Sequence, residues 1–389
     1  MKETSAKVQH SFRRNLLKGI EVCLTQPNHH YVDNSLEYYG SQSVEAMRRD
    51  KEWFAHNTPL PDVATFQCVN AQAIALQVMT KGDLYCLLAD TPSKNLLVQV
   101  ALFELLGHRF VKFPYYTPDA FSRRIALKKM HSVPEIDITM RNDVERDIFG
   151  VGYQLILLST SMAQESVTLY STAEFLYQLE AFPPYYYAKG KVCIDINPGD
   201  YVLDCGACYG DTALLFAAKA GEQGRVLSFE PHPGIGRLFL HNMKRNPHLS
   251  RRMAMLPVAT GNAFGGELVL KLCGPGSYLG ERGSLSHNTR VPVTRLDDEV
   301  SRRKWPRVDF IKMDVEGAEL ATLQGAEHIL RSYRPKLAVC LYHKMEDFFL
   351  IPRFLYELDL GYRFYLEHHF VNKWETVLYA LPGDDVARN

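Results

Sequence analysis

From residue 191 onward, short apolar runs alternate with longer stretches in which apolar positions recur at helical spacing. The short runs predict strands at 202–203, 226–229, 255–259, 310–313 and 337–341, and the longer stretches predict helices at 212–220, 235–243, 318–330 and 348–358. Residues 267–272 and 291–294 read as an inserted strand pair. Strand and helix alternating in this way predict a mostly parallel sheet with helices on both faces, an α/β architecture. Two final strands, 364–366 and 376–379, are separated by a link too short for a parallel crossover, so the spacing predicts an antiparallel hairpin.

The pattern is less regular ahead of residue 191. Residues 1–40 are polar and interrupted by Pro27 and His29-His30, and 41–56 read as a helix carrying Val44, Met47, Trp53 and Phe54. A strand at 84–89 precedes a helix running to Leu106, with Ser93 as its cap and Gly107 as its stop. Strands at 153–158 and 166–170 and a helix near 173–180 follow, before Pro183-Pro184 breaks the chain. The run Tyr185-Tyr186-Tyr187 reads as partly buried strand packing in preference to a stacking surface, because aromatic residues favour strands. The expected organisation is an N-terminal α/β region over 1–150 that helps select an acceptor, a connector over 151–190, and a ligand-binding domain over 191–389.

Composition narrows the class without naming it. The chain has 389 residues, with 44 basic and 44 acidic side chains, so no net field draws it to nucleic acid or an acidic membrane. Eight cysteines sit mostly in apolar runs, as reduced buried thiols do, and a cytoplasmic protein is expected. Arg13-Arg14 imitates an export signal, but Lys18 and Glu21 interrupt the apolar stretch that should follow. No run is long enough to predict a membrane span.

Three segments carry candidate chemistry. In the first, Val202 to Thr212, an apolar strand meets Asp204, Gly206, Ala207, Gly210, Asp211 and Thr212 at the start of a helix. That junction lies at the carboxyl end of a strand, where open α/β sheets bind ligands. A phosphate loop would need Gly-Lys-Ser/Thr, which is missing, and a dinucleotide fingerprint would need glycines where Cys208 and Asp211 stand. S-adenosylmethionine (SAM) has no phosphate and an ammonium group, so it suits an acidic loop with Asp204 ahead of the glycines. In the second segment Glu230, followed by Pro231, ends the next strand, where an acid accepts hydrogen bonds from ribose hydroxyls. In the third, Asp314 ends a strand on the same rim, with Glu316 and Glu319 after it. Those acids also suit a helix N-terminus or a magnesium ion. His343 follows the fifth strand, and its near-neutral pKa makes it a candidate base. The C-x-x-C of Cys205 and Cys208 lacks the second pair that a zinc site needs, so packing is expected there.

Taken together, Asp204-Cys205-Gly206 with Gly210, then Phe229-Glu230-Pro231, then the block from Ile311 to Glu319, resemble the FkbM family of SAM-dependent methyltransferases over about 195–380. The resemblance implies a class I methyltransferase (Rossmann-like) seven-stranded sheet and methylation of hydroxyl oxygens on sugars or polyketide-type products. Cys208 stands where many relatives carry Asn, and Tyr342-His343 replaces an acid frequent at that strand end. The expected protein is an O-methyltransferase acting on a small-molecule or glycan acceptor. Asp204, Gly206, Ala207, Gly210, Asp211, Thr212, Glu230 and Pro231 hold SAM, Asp314 and His343 are catalytic, and no metal is resident. A methyltransferase-like binding protein without catalysis and an NAD-dependent enzyme are the alternatives, and SAM turnover and NAD binding distinguish them.

Overall fold

The computed structural model describes residues 2–25, 71–107, 111, 113, 155–172, 175, 178–179, 183–263, 265–272, 276–280, 288–370 and 374–383. The helix expected at 41–56 lies outside the described residues. Among the described residues three helices come first: α1 (Lys2–Thr25), α2 (Ala71–Leu87) and α3 (Thr91–Leu106). Two antiparallel pairs follow, β1 (Ile156–Met162) with β2 (Glu165–Ser171), and β3 (Tyr187–Lys189) with β4 (Val192–Ile194). The alternating part then runs β5 (Tyr201–Cys205), α4 (Asp211–Ala220), β6 (Arg225–Phe229), α5 (Pro233–Arg245), α6 (Pro247–Ser250) and β7 (Met253–Leu256). An insertion holds β8 (Ala259–Thr260), β9 (Glu267–Lys271), β10 (Tyr278–Gly280) and β11 (Asn288–Thr294). It leads through α7 (Leu296–Arg302) to β12 (Phe310–Met313), α8 (Glu319–Gln324), α9 (Glu327–Tyr333), β13 (Lys336–Cys340), α10 (Asp347–Glu357), β14 (Tyr362–His368) and β15 (Thr376–Pro382).

The main sheet has seven strands in the order β14-β15-β13-β12-β5-β6-β7. Strands β7, β6, β5, β12 and β13 are parallel, and β15 runs antiparallel to both β13 and β14. This is the class I methyltransferase sheet, with the expected closing hairpin. The order reverses at β5, so the crevice of such a sheet opens beside that strand's carboxyl end. Alternating residues of one strand enter opposite layers, as the pleat requires. Phe310 packs with α4 on one face, whereas Ile311 and Met313 pack on the other with α8, α9 and the N-terminal helices.

Four sequence expectations need correction. Residues 84–87 continue helix α2, and only Leu88 makes a bridge, to Phe364 of β14. A short apolar run reads equally as strand or buried helix, and here the helical stretch before it decides. The cap of α3 is Asp90, whose side chain accepts from the Ser93 N–H, while Ser93 Oγ accepts from the Leu366 N–H at 2.9 Å. The strand expected at 255–259 divides into β7 and β8, which belong to different sheets, because Pro257 between them cannot donate to a ladder. The helix expected at 318–330 splits at Gly325, where a Cβ would lie 2.0 Å from the Gly261 carbonyl oxygen.

The N-terminal helices share one apolar core with the sheet: Phe12, Leu16, Leu97 and Val100 join Leu203, Ile311 and Leu337. On the opposite face the β1–β2 hairpin is docked by two asparagines one helical turn apart on α5. Asn242 exchanges hydrogen bonds with the backbone of Tyr170, and Asn246 does the same with Thr168. No described helix is long and apolar enough to cross a membrane.

Candidate active site

The ends of β5, β6, β12 and β13 border one cleft. Its wall takes Gly206, Glu230 and Asp314 from three strand ends, with Tyr342 and Glu375 beside them. Phe229, Ile235, Val258 and Leu279 supply apolar surface. Of the residues expected to bind a cofactor, Gly206, Glu230 and Pro231 reach the cleft, while Asp204, Ala207, Gly210, Asp211 and Thr212 lie behind it. No described residue before Gly206 lines it.

Asp204 has no exposed surface and does not offer its charge to the cleft. Register pairs it directly with Lys312 on one side and Ser228 on the other, so the three side chains form a polar row across the sheet. Lys312 Nζ lies 3.3 Å from Asp204 Oδ1, and the hydroxyls of Thr212 and Ser228 lie 3.4 Å from Oδ2. The ammonium also donates to the carbonyls of Cys205 and Gly206. Burial alone would lower the Lys312 pKa, but the attraction of Asp204, and then of Asp314, outweighs it and raises the value. The aspartate therefore sets the loop through Lys312.

Gly206 has φ +78°, and a Cβ there would lie 1.7 Å from the Asp314 carbonyl oxygen. The glycine is demanded by the close approach of two strand ends, a constraint within the protein that sequence did not show. Gly210, at φ +81°, opens α4 against the Phe239 ring. Asp211 accepts from Ser171 Oγ at 2.8 Å, and burial pushes its carboxyl up to about 6. Glu230 braces the same loop: Oε2 accepts the Cys208 N–H at 2.9 Å and Oε1 the His232 N–H at 2.7 Å. Burial pushes Glu230 up to about 7 despite those two bonds. Cys205 and Cys208 are free thiols.

Asp314 is held by two tyrosines that sequence reading did not connect to it. Tyr185 donates to Oδ2 and Tyr342 to Oδ1, each at 2.9 Å. Burial alone would raise the Asp314 pKa, but Lys312, His343 and these hydroxyls outweigh it and hold it below the usual carboxylate value. His343 is brought beside Asp314 as expected, with Nε2 at 3.4 Å from both Asp314 Oδ1 and Glu316 Oε2. Its Nδ1 lies 2.8 Å from Glu319 Oε1, an atom that also accepts the Val315 N–H. Burial alone would lower the His343 pKa, yet Glu319 and Glu316 raise it well above the ordinary histidine value. Glu375, another residue without a sequence motif, faces the cleft with its carboxyl pushed up to about 8 by burial and by Asp314.

The methyltransferase FkbM domain model matches residues 204–364, a span that holds the rim from Asp204 through His343. Residues 204–364 form a methyltransferase FkbM domain. Among solved structures, the methyltransferase FkbM of Methylobacillus flagellatus KT is similar at 17% identity and TM-score 0.48, over 80% of this chain and 60% of that one. The chain thus spans about 60% of the length of that relative. Aeropyrum pernix fibrillarin, solved with natively bound SAM, is similar at 14% identity and TM-score 0.35, over 60% of this chain and 84% of that one. The precorrin-6y C5,15-methyltransferase of Geobacter metallireducens GS-15 gives 11% identity and TM-score 0.31, over 48% of this chain and 82% of that one. No curated protein matches the chain.

Proposed function

We propose that the protein transfers a methyl group from SAM to a hydroxyl oxygen of a sugar-like or natural-product-like acceptor. The observation that carries this reading is the placing of Glu230 and Asp314 on one cleft, on either side of the Gly206 turn. Each oxygen of Glu230 accepts one N–H and keeps a second lone pair, which suits a ribose diol. The donor set fits the cofactor for that reason, with Pro231 and the apolar wall of Phe229, Ile235 and Val258 beside the nucleoside.

SAM supplies an electrophilic methyl on a sulfonium. The protein's contribution is to align the acceptor hydroxyl with it and to receive the hydroxyl proton as the carbon–oxygen bond forms and the carbon–sulfur bond breaks. Asp314 is the residue for that position, since its oxygens border the cleft and Tyr185 and Tyr342 fix its plane. His343 lies between three acids and backs Asp314 from 3.4 Å. Glu375 offers a second carboxylate on the same wall.

The test is calorimetric titration of the purified full chain with SAM, followed by incubation with simple glycosides and hydroxylated aromatic compounds. The expected result is one SAM per chain and an acceptor product heavier by one methylene. Binding of NAD in place of SAM would overturn the reading. SAM binding without turnover on any hydroxyl acceptor, alongside turnover on amines, would overturn its oxygen specificity.

A further inference from the structure

We infer that Asp314, Glu316 and His343 form a binding site for a first-row divalent metal cation at the edge of the cleft. The three ligand atoms lie within 4.8 Å of one another. The acids alone would not make the case, since acidic residues follow many strands. The imidazole does. Its side chain is 8% exposed, and neither ring nitrogen makes a hydrogen bond. Nε2 points at two carboxylates 3.4 Å away, close enough for charge attraction but not aligned for a hydrogen bond.

The spacing suits coordination. With bonds of about 2.1 Å, donor atoms 3.4 Å apart subtend about 108° at a shared cation, close to the tetrahedral angle. The other ring nitrogen has a carboxylate at hand, the usual partner behind a ligating histidine: Nδ1 lies 2.8 Å from Glu319 Oε1. Glu319 is wholly buried and anchored by the Val315 N–H, so it orients the ring and is not a ligand. Glu316 is held at φ +54°, which turns its side chain back toward His343. One imidazole with two carboxylates selects manganese, iron or zinc over magnesium, whose usual ligands are all oxygen. This differs from the magnesium site that the acids alone suggested, Asp314 with Glu316 or Glu319, in which histidine had no part.

Three protein ligands leave a coordination position open. Asp314 and Glu316 both line the cleft, so that position faces the acceptor space. In the methyl transfer proposed above, a bound cation would hold the acceptor hydroxyl and make its proton easier to remove. This use of the metal rests on the proposed function, whereas the binding itself rests only on the three residues.

The experiment uses full-length protein freed of metal by chelation and dialysis. Manganese(II) is titrated and read by loss of the free-ion electron paramagnetic resonance signal, with SAM titrated separately by calorimetry. One manganese per chain is expected, with magnesium displacing it only in large excess. His343→Ala and Glu316→Gln should each lose at least about 100-fold in manganese affinity, because removing even a supporting partner costs roughly 10–100-fold. Both should keep the wild-type circular dichroism spectrum. No manganese binding to a protein that binds SAM would overturn the metal site and leave the proposed function standing. Manganese binding that survives both substitutions would also overturn it. Manganese binding without SAM binding would keep the site and remove the function.

Discussion

The ends of β5 and β12 lie side by side in the sheet, yet they treat charge in opposite ways. At the end of β5, Asp204 is buried and answered: Lys312 and two hydroxyls face its carboxylate, and Lys312 also serves the loop's carbonyls. At the end of β12, Asp314, Glu316 and Glu319 surround a single imidazole whose nitrogens make no hydrogen bond. A polar row whose buried carboxylate faces a buried lysine makes a scaffold. One with carboxylates to spare is where a substrate or an ion is needed. The same strand-to-loop geometry thus yields a fixed half and a receptive half of one rim.

The comparison can be broken most sharply at Lys312. Lys312→Met leaves Asp204 charged, buried and unpaired, and should cost about 3–5 kcal/mol in denaturant unfolding. Adding Asp204→Asn should recover much of that loss, because the uncompensated charge is then gone. A Lys312→Met protein as stable as wild type would show that the row is not the scaffold of the loop. On the receptive half, Asp314→Asn should lower turnover by roughly 10²–10⁴ while SAM affinity holds. Equal loss of SAM affinity would place Asp314 in cofactor binding instead.

Glu230 sharpens the contrast through pH. Its carboxyl, raised to about 7 by burial, is a better acceptor for ribose hydroxyls once ionised, so SAM affinity should rise as pH increases through about 7. Its contribution to folding has the opposite sign. A folded pKa above the unfolded one favours the folded state at low pH, and that stability is lost as pH rises through about 7. Glu230→Gln should flatten the pH dependence of calorimetric SAM affinity and weaken binding by roughly 1.5–3 kcal/mol. An unchanged pH profile would move the ribose elsewhere. The smallest effect calibrates the others: Arg331→Ala removes an exposed pair with Glu327 and should change unfolding stability by roughly 0.3–0.5 kcal/mol.

Much of this was legible in the chain itself. The parallel strands, the closing hairpin and the three acidic strand ends follow from apolar spacing and from where glycines and acids fall. What sequence could not supply is register and distance. Asp204 and Lys312 lie far apart in the chain, and only cross-strand pairing shows that each answers the other. Tyr185 looked like one of three packing tyrosines, and Tyr187 is one, but Tyr185 reaches Asp314 across 129 positions of sequence. Tyr342 had a signal, since it stands at the carboxyl end of the fifth strand where a family acid is frequent. Glu375 had none, being a lone acid before the last strand. The glycine at 206 has a further reason that sequence did not show, because a side chain there would also meet the protein's own backbone.

The outer edge of β14 carries a consequence for how the chain is made. Phe364 O accepts from the Ala89 N–H, and the Leu366 N–H donates to Ser93 Oγ, 273 positions away in sequence. These contacts close one of the longest loops in the molecule, and contacts of that kind form late in folding. During synthesis the first helices leave the ribosome well before β14 exists. The apolar faces of α1 and α3, with Phe12, Leu16 and Leu97, then wait for the last part of the sheet. Until it arrives they are the surface that holdase chaperones recognise, so the yield of folded protein depends on how that interval is covered.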